Sequence, residues 1–128
     1  MTTQTPTPQT DRAQALVAQY IATWNETDAA ARRSLVREVF ADDAAYADPM
    51  FAARGHDEVD AMIAGVHGAY PGCRFVATGS VEEHHDRLLW HWDLVRPDGV
   101  APVAHGLDVA VLAADGRLAD VTGFFRAA

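Results

Sequence analysis

Asp108 is the residue best placed to do chemistry. It lies inside Val103-Ala104-His105-Gly106-Leu107-Asp108-Val109-Ala110-Val111-Leu112, a run that otherwise reads as a buried strand. A carboxylate is almost never fully buried without a partner, because taking its charge out of water is costly. Such a group keeps its proton, takes a partner, or faces a wet cavity. The alternative is a solvated strand face, since a strand shows alternate residues to opposite sides. The companions of Asp108 on its face are Ala104, Gly106, Ala110 and Leu112, all small or apolar. Two further residues bear on the same chemistry. Asp48 precedes Pro49, which alone is a turn signal. Tyr20 sits in an amphipathic stretch, where a tyrosine buries its ring and brings its hydroxyl to a polar neighbour.

The remaining reactive side chains point less clearly. His84-His85-Asp86 reads as a strand end, with the two adjacent rings expected to point to opposite faces, a poor arrangement for metal ligation. His67 is expected at the surface. His56, beside the Asp48 loop, is a candidate for the mouth of a cavity. His91 and His105 depend on strand register. A two-residue turn at Asp98-Gly99 would set Leu89 opposite Asp108 and place His91 on the Asp108 face. One residue more or fewer would place Trp90 and Trp92 there. The more apolar set, Leu88, Trp90, Trp92 and Leu94, favours the tryptophans. The single cysteine, Cys73, excludes an internal disulfide and any Cys-rich zinc site, and reads as a small residue near Pro71-Gly72.

These groups must be held by elements the periodicity reveals. Asp11 to Glu26 carries Ala15, Leu16, Ala18, Tyr20, Ile21 and Trp24 with helical spacing, with Thr10 or Asp11 as N-cap. Thr27 or Asp28 can cap a second helix running to about Phe40. Ala44 to Asp48 reads as a short strand stopped by Pro49, followed by a loop to Gly55. His56 to Ala69 reads as a third helix with Asp57 and Glu58 in its first turn. Strands are expected near 74–84, 87–96, 101–113 and 117–126, with Pro97-Asp98-Gly99 and Ala114-Asp115-Gly116 as turns. Three helices followed by a mostly antiparallel meander make an α+β domain. Residues 11–128 form it, and residues 1–10, rich in Thr, Gln and Pro, read as a disordered lead-in without the marks of a signal peptide.

Composition narrows the function. The 128 residues suit one domain with a real core. Net charge is −8 and all ten basic residues are arginine. The absence of lysine removes Schiff-base chemistry and the P-loop. The absence of a basic stripe argues against nucleic acid. No apolar run approaches the length of a membrane span. A cytoplasmic protein with no membrane partner is expected.

Several segments in order resemble one family. Tyr20-Ile21-Ala22-Thr23-Trp24-Asn25-Glu26-Thr27-Asp28 is similar to the end of the first helix in the ketosteroid isomerase and polyketide cyclase (SnoaL-like) branch of the nuclear transport factor 2-like superfamily. Phe40-Ala41-Asp42-Asp43-Ala44-Ala45-Tyr46-Ala47-Asp48-Pro49 resembles the next helix end and strand, and Arg54-Gly55-His56 the start of the third helix. Gly106-Leu107-Asp108 and Gly116-Arg117-Leu118…Val121-Thr122-Gly123-Phe124 complete the likeness, which spans most of the chain from about Asp11. The resemblance implies a cone-shaped fold in which the helices pack on a strongly curved sheet and enclose a cavity. By the same resemblance Asp48 falls where the isomerases keep a general base. Tyr20 falls where they keep a phenol that donates to the developing oxyanion, and Asp108 where they keep a protonated carboxylic acid as second donor. In those isomerases an apolar site holds that carboxyl group neutral at pH 7. The chain departs from the pattern at Phe40 and Ile63, which stand where further tyrosines support the donor.

The implied activity is cofactor-independent acid–base catalysis beside a carbonyl of a small hydrophobic molecule, as isomerisation, cyclisation or dehydration. Trp24, Phe40, His56, Trp90 and Trp92 are the expected substrate contacts, with no metal. A homodimer is expected through the outer sheet face, to which Leu107, Val109 and Val111 contribute if Asp108 points inward. Two other readings stay open: a binding protein with the same pocket and no turnover, and an epoxide hydrolase of the limonene type. The latter requires an arginine joining two carboxylates.

Overall fold

The structure, a computed structural model, describes residues 8–99 and 101–128. Helix α1 (Pro8–Asn25) begins ahead of the expected cap at Thr10 or Asp11, so those two residues lie within the helix. The rest of the expected lead-in, residues 1–7, lies outside the described residues. Ala13, Val17, Tyr20 and Trp24 repeat at helical spacing and are buried, which gives α1 its inward face. Asp28 caps α2 (Ala29–Val39), its carboxylate accepting from the Ala31 N–H at 2.9 Å. Strand β1 (Phe40–Ala47) follows directly, so it begins four residues ahead of the expected start at Ala44.

The expected loop to Gly55 contains a short strand, β2 (Ala52–Arg54), paired antiparallel with β1. It forms because Asp48 reverses the chain: its Oδ1 accepts the N–H groups of Met50 and Phe51, both at 2.8 Å, an aspartate turn of the usual kind. Helix α3 (Gly55–Ala69) follows, burying Val59, Met62, Ile63 and Val66.

The meander runs β3 (Arg74–His84), β4 (Arg87–Val95), β5 (Pro102–Leu112) and β6 (Leu118–Ala127). With the two earlier strands it makes a six-stranded mixed sheet of order β2-β1-β6-β5-β4-β3, open at both ends, in which only β1 and β6 run parallel. The helices pack against it. Asn25 at the end of α1 forms a two-way bridge to the Phe75 backbone on β3, both bonds at 2.8 Å. His67 of α3, expected at the surface, is half-buried, and its Nε2 lies 2.6 Å from the Trp24 carbonyl. The buried Arg32 of α2 binds Asp60 of α3 at 2.7 Å. These ties fix the helices over the sheet.

The strand end expected at His84-His85 is present, but the expected facing of the two rings is corrected. His85 and Asp86 both turn with positive φ (46° and 62°), so the strand has already ended at His85. The two rings therefore approach each other, with Nδ1 atoms 3.2 Å apart, instead of facing opposite ways.

Candidate functional site

Register decides what faces inward. Trp90 pairs with Asp108 and Trp92 with Gly106, so β4 presents Leu88, Trp90, Trp92 and Leu94 to the core. His91 and His105 are exposed on the opposite face, where His105 Nδ1 meets Asp93 Oδ1 at 2.6 Å. Asp108 is only 2 % exposed. Its neighbour on β6 is Gly123.

Gly106 and Gly123 make the space that holds the site together. A Cβ at Gly106 would lie 2.1 Å from Trp92 Cζ2, so the indole rests on bare backbone. A Cβ at Gly123 would lie 2.6 Å from Asp108 Oδ1, 3.4 Å from Asp48 Cβ and 3.5 Å from the Tyr46 hydroxyl. The two aspartates and Tyr46 thus converge over one glycine.

The hydrogen bonds define two linked pairs. The Tyr20 hydroxyl donates to Asp108 Oδ2 at 3.0 Å. The Tyr46 hydroxyl donates to Asp48 Oδ2 at 2.6 Å. Asp48 thereby receives three donors, counting Met50 and Phe51 N–H at its other oxygen. Asp108 Oδ1 is buried and has no partner of hydrogen-bonding geometry. Trp24 Nε1 and Trp90 Nε1 are likewise buried without an acceptor.

Electrostatics separates the two carboxyls. Burial pushes Asp108 up to about 7. The nearby Trp92 indole and the donating Tyr20 hydroxyl act in the opposite sense, and the charge of Asp48 raises it further. Burial also pushes both phenols upward, with the negative charge of Asp108 adding to each. Tyr20 and Tyr46 therefore remain protonated donors at neutral pH.

These groups line a pocket of about 210 Å³ between α1, α3 and the sheet. On the same measure one water needs only about 10–15 Å³, so a small organic molecule fits. Asp48, Tyr20 and Asp108, the three proposed catalytic positions, all line it, as do Trp24 and Trp92. Phe40, His56 and Trp90 are not among the lining residues. Phe40 and Trp90 stand behind the wall, with ring centroids 5.8 Å and 4.9 Å from that of Tyr20, which they brace. His56 Nε2 lies 2.8 Å from the Phe40 carbonyl. An aromatic series forms the apolar side: Trp24 meets Phe75 edge-on at 5.3 Å, and Phe75 meets Trp92 at 5.2 Å.

Tyr46 is the site residue that sequence reasoning passes over. Its signal is the strand alternation Ala44, Tyr46, Asp48, which puts the phenol and the carboxylate on one face. Among the described residues lining the pocket there is no arginine, so the bridging cation of an epoxide hydrolase is missing. No group of three or more metal-ligating side chains occurs among the described residues, and no helix among them is long and apolar enough to cross a membrane.

Three helices packed on a six-stranded mixed sheet make the fold of the nuclear transport factor 2-like class. Residues 17–121 match the SnoaL-like domain model, and the chain belongs to that family. A candidate isomerase of the SnoaL-like family from Agrobacterium tumefaciens str. C58 is 35 % identical, with TM-score 0.87 over 91 % of this chain and 98 % of that one. A candidate SnoaL-like polyketide cyclase from Jannaschia sp. CCS1 shares the fold at 19 % identity, with TM-score 0.76 over 96 % of this chain and 91 % of that one. A SnoaL-like protein of unknown function from Burkholderia thailandensis E264 does so at 20 % identity, with TM-score 0.71 over 96 % and 99 %. No functionally curated protein matches the chain.

Proposed function

We propose that this protein is a cofactor-independent acid–base enzyme that moves a proton next to the carbonyl of a small hydrophobic substrate. The observation that carries the reading is Asp108: a buried carboxyl, one oxygen held by Tyr20 and the other unpartnered, lining an apolar pocket that Asp48 also lines. With a pKa of about 7, a large share of Asp108 is the neutral acid at neutral pH, and its free oxygen can carry the proton as a donor.

In this reading Asp48 removes a proton from the carbon beside the carbonyl. The carbonyl oxygen gains negative charge and is held by the Asp108 acid proton. Tyr20 steadies Asp108 through Oδ2 rather than acting on the substrate as a separate donor. Tyr46 orients Asp48. The enolate then recovers a proton at another carbon, attacks an electrophilic carbon to close a ring, or expels a β-hydroxyl group. Each outcome is a family-type reaction, and the support from the candidate isomerase and candidate cyclase neighbours extends to the fold and the class alone.

A second reading, a binding protein without turnover, is favoured by one specific observation. Asp48 already accepts three hydrogen bonds, which take all but one of the roughly four lone-pair sites of its carboxylate and weaken it as a base. Hydrogen–deuterium exchange at the α-carbon of 2-tetralone in D₂O, followed by NMR, separates the two. The enzymatic reading expects protein-catalysed exchange that falls by about 10²-fold or more in Asp48→Asn. Equal exchange in both proteins, or none above buffer, contradicts it. The reading also includes a homodimer formed through the outer face of the sheet, where Val111 and Phe124 are exposed.

A further inference from the structure

We propose that the hairpin between β3 and β4 carries a metal site separate from the pocket, in which His84 and His85 chelate a late first-row divalent cation through their two Nδ1 atoms. The proposal does not rest on the proposed function. Strand β4 begins at Arg87 beside this tip and reaches the pocket only at Trp92.

The geometry comes from the turn. Adjacent histidines in a continuous strand send their rings apart and cannot share a metal. Here β3 ends at His84, and His85 and Asp86 both take positive φ (46° and 62°), the left-handed pair of a type I′ hairpin turn. The rings come together, with their Nδ1 atoms 3.2 Å apart. Zinc–imidazole bonds of about 2.0–2.1 Å at a tetrahedral angle set two ligating nitrogens about 3.3 Å from each other. The pair is thus already at the bite of a chelate.

The turn also fixes the two rings in advance. Glycine, asparagine and aspartate are the usual first residues of such a turn, and a histidine there holds a left-handed backbone that its Cβ disfavours. That backbone is tied from two sides. The Arg87 guanidinium donates to the His85 carbonyl at 2.8 Å, and the Leu112 N–H donates to the Asp86 carbonyl at 2.8 Å. His84 is held by its pairing with Arg87 across the hairpin. A cation therefore orders little beyond the side-chain torsions of two exposed residues, which favours affinity.

Chemistry narrows the ligand. Imidazole nitrogen suits zinc, copper and nickel, and affinity rises along the row to copper(II). In the metal-free pair one Nδ1–H donates to the other Nδ1; a cation takes both lone pairs and the shared proton leaves to solvent. Water fills the remaining positions, because no group of three metal-ligating side chains occurs among the described residues. Glu82, Glu83 and Asp86 against the single Arg87 leave this stretch negative, which favours a cation. The other histidines are placed differently. His56 and His67 are engaged with main-chain carbonyls, His105 with Asp93, and His91 lies between Thr78 and Leu107.

The test is a zinc titration of the whole protein at neutral pH, followed by ¹H–¹⁵N NMR of the histidine ring nitrogens. The Nδ1 signals of His84 and His85 are expected to shift together along one saturating curve. His84→Gln and His85→Gln should each raise the zinc needed for half-saturation by about tenfold or more, since a lone imidazole loses the effective concentration of its neighbour. His105→Gln should leave the curve where it is. Both substituted side chains are exposed, so the fold is expected to survive, and the unshifted signals of His56 and His67 report that it has. Copper(II) should displace the zinc. Rings that saturate separately, single variants that bind as well as wild type, or shifts confined to other histidines would each overturn the proposal and leave a plain hydrogen bond between the two rings.

Discussion

Tyr20 and Asp108, 88 residues apart in the chain, share a buried hydrogen bond of 3.0 Å that joins the first helix to the fifth strand. The bond favours the charged form of Asp108 against the burial that disfavours it. Tyr20→Phe removes the donor and keeps the ring packed against Phe40 and Trp90. The Asp108 carboxyl should then titrate above the wild-type value of about 7. Carbonyl ¹³C NMR of the aspartates measures this directly, and a midpoint that stays put or falls would show that the phenol does not act on the acid.

Asp108 also makes stability depend on pH. The unfolded carboxyl titrates at its ordinary value of 3.8 and the folded one at about 7. Between these values the folded state holds the extra proton, so stability falls as pH rises from about 4 to about 7 and levels off above. Asp108→Asn lacks this loss. Its stability relative to wild type should improve across that window by a few kcal/mol, on the order expected for a shift of this size. Urea melts at pH 4 and pH 8 test it, and a difference that does not change with pH contradicts it.

Gly123 and Gly106 are expected to tolerate nothing larger. Gly123→Ala places a methyl group 2.6 Å from Asp108 Oδ1, and Gly106→Ala places one 2.1 Å from the Trp92 ring. Each should cost about 1–3 kcal/mol of stability through overpacking. Gly123→Ala should also displace the Asp108 carboxyl and abolish 2-tetralone binding. Thermal unfolding with and without the ketone checks both effects.

Leu107, Val109 and Val111 alternate on the outward face of β5, and Phe124, opposite Leu107 on β6, is 58 % exposed. A charge there should split the proposed homodimer. Sedimentation of the wild type is expected to give the mass of two chains, and that of Phe124→Glu the mass of one. A monomeric wild type would remove the dimer from the account.

The helices, the four long strands and the inward direction of Asp108 are legible in the sequence, because each rests on periodicity repeated over many residues. Strand β2 is not: three residues, Ala52 to Arg54, have no pattern of their own and pair only because Asp48 turns the chain back. The facing of His84 and His85 escapes for a similar reason, since alternation assumes a strand that continues through both residues, and this one ends at His84. Phe40 and Trp90, both expected against the substrate, instead form a second aromatic layer behind Tyr20. Tyr46 is visible in the alternation with Asp48, but a tyrosine in a short strand looks like core until its hydroxyl partner is known.

The account depends on one atom, Asp108 Oδ1, being the polar contact for a guest in the pocket. A crystal structure of the protein grown with 2-tetralone tests this most directly. The expected result is the ketone oxygen within hydrogen-bond distance of Asp108 Oδ1 and the ring against Trp92. A ketone bound elsewhere, or oriented with its oxygen away from Asp108, would contradict the central claim.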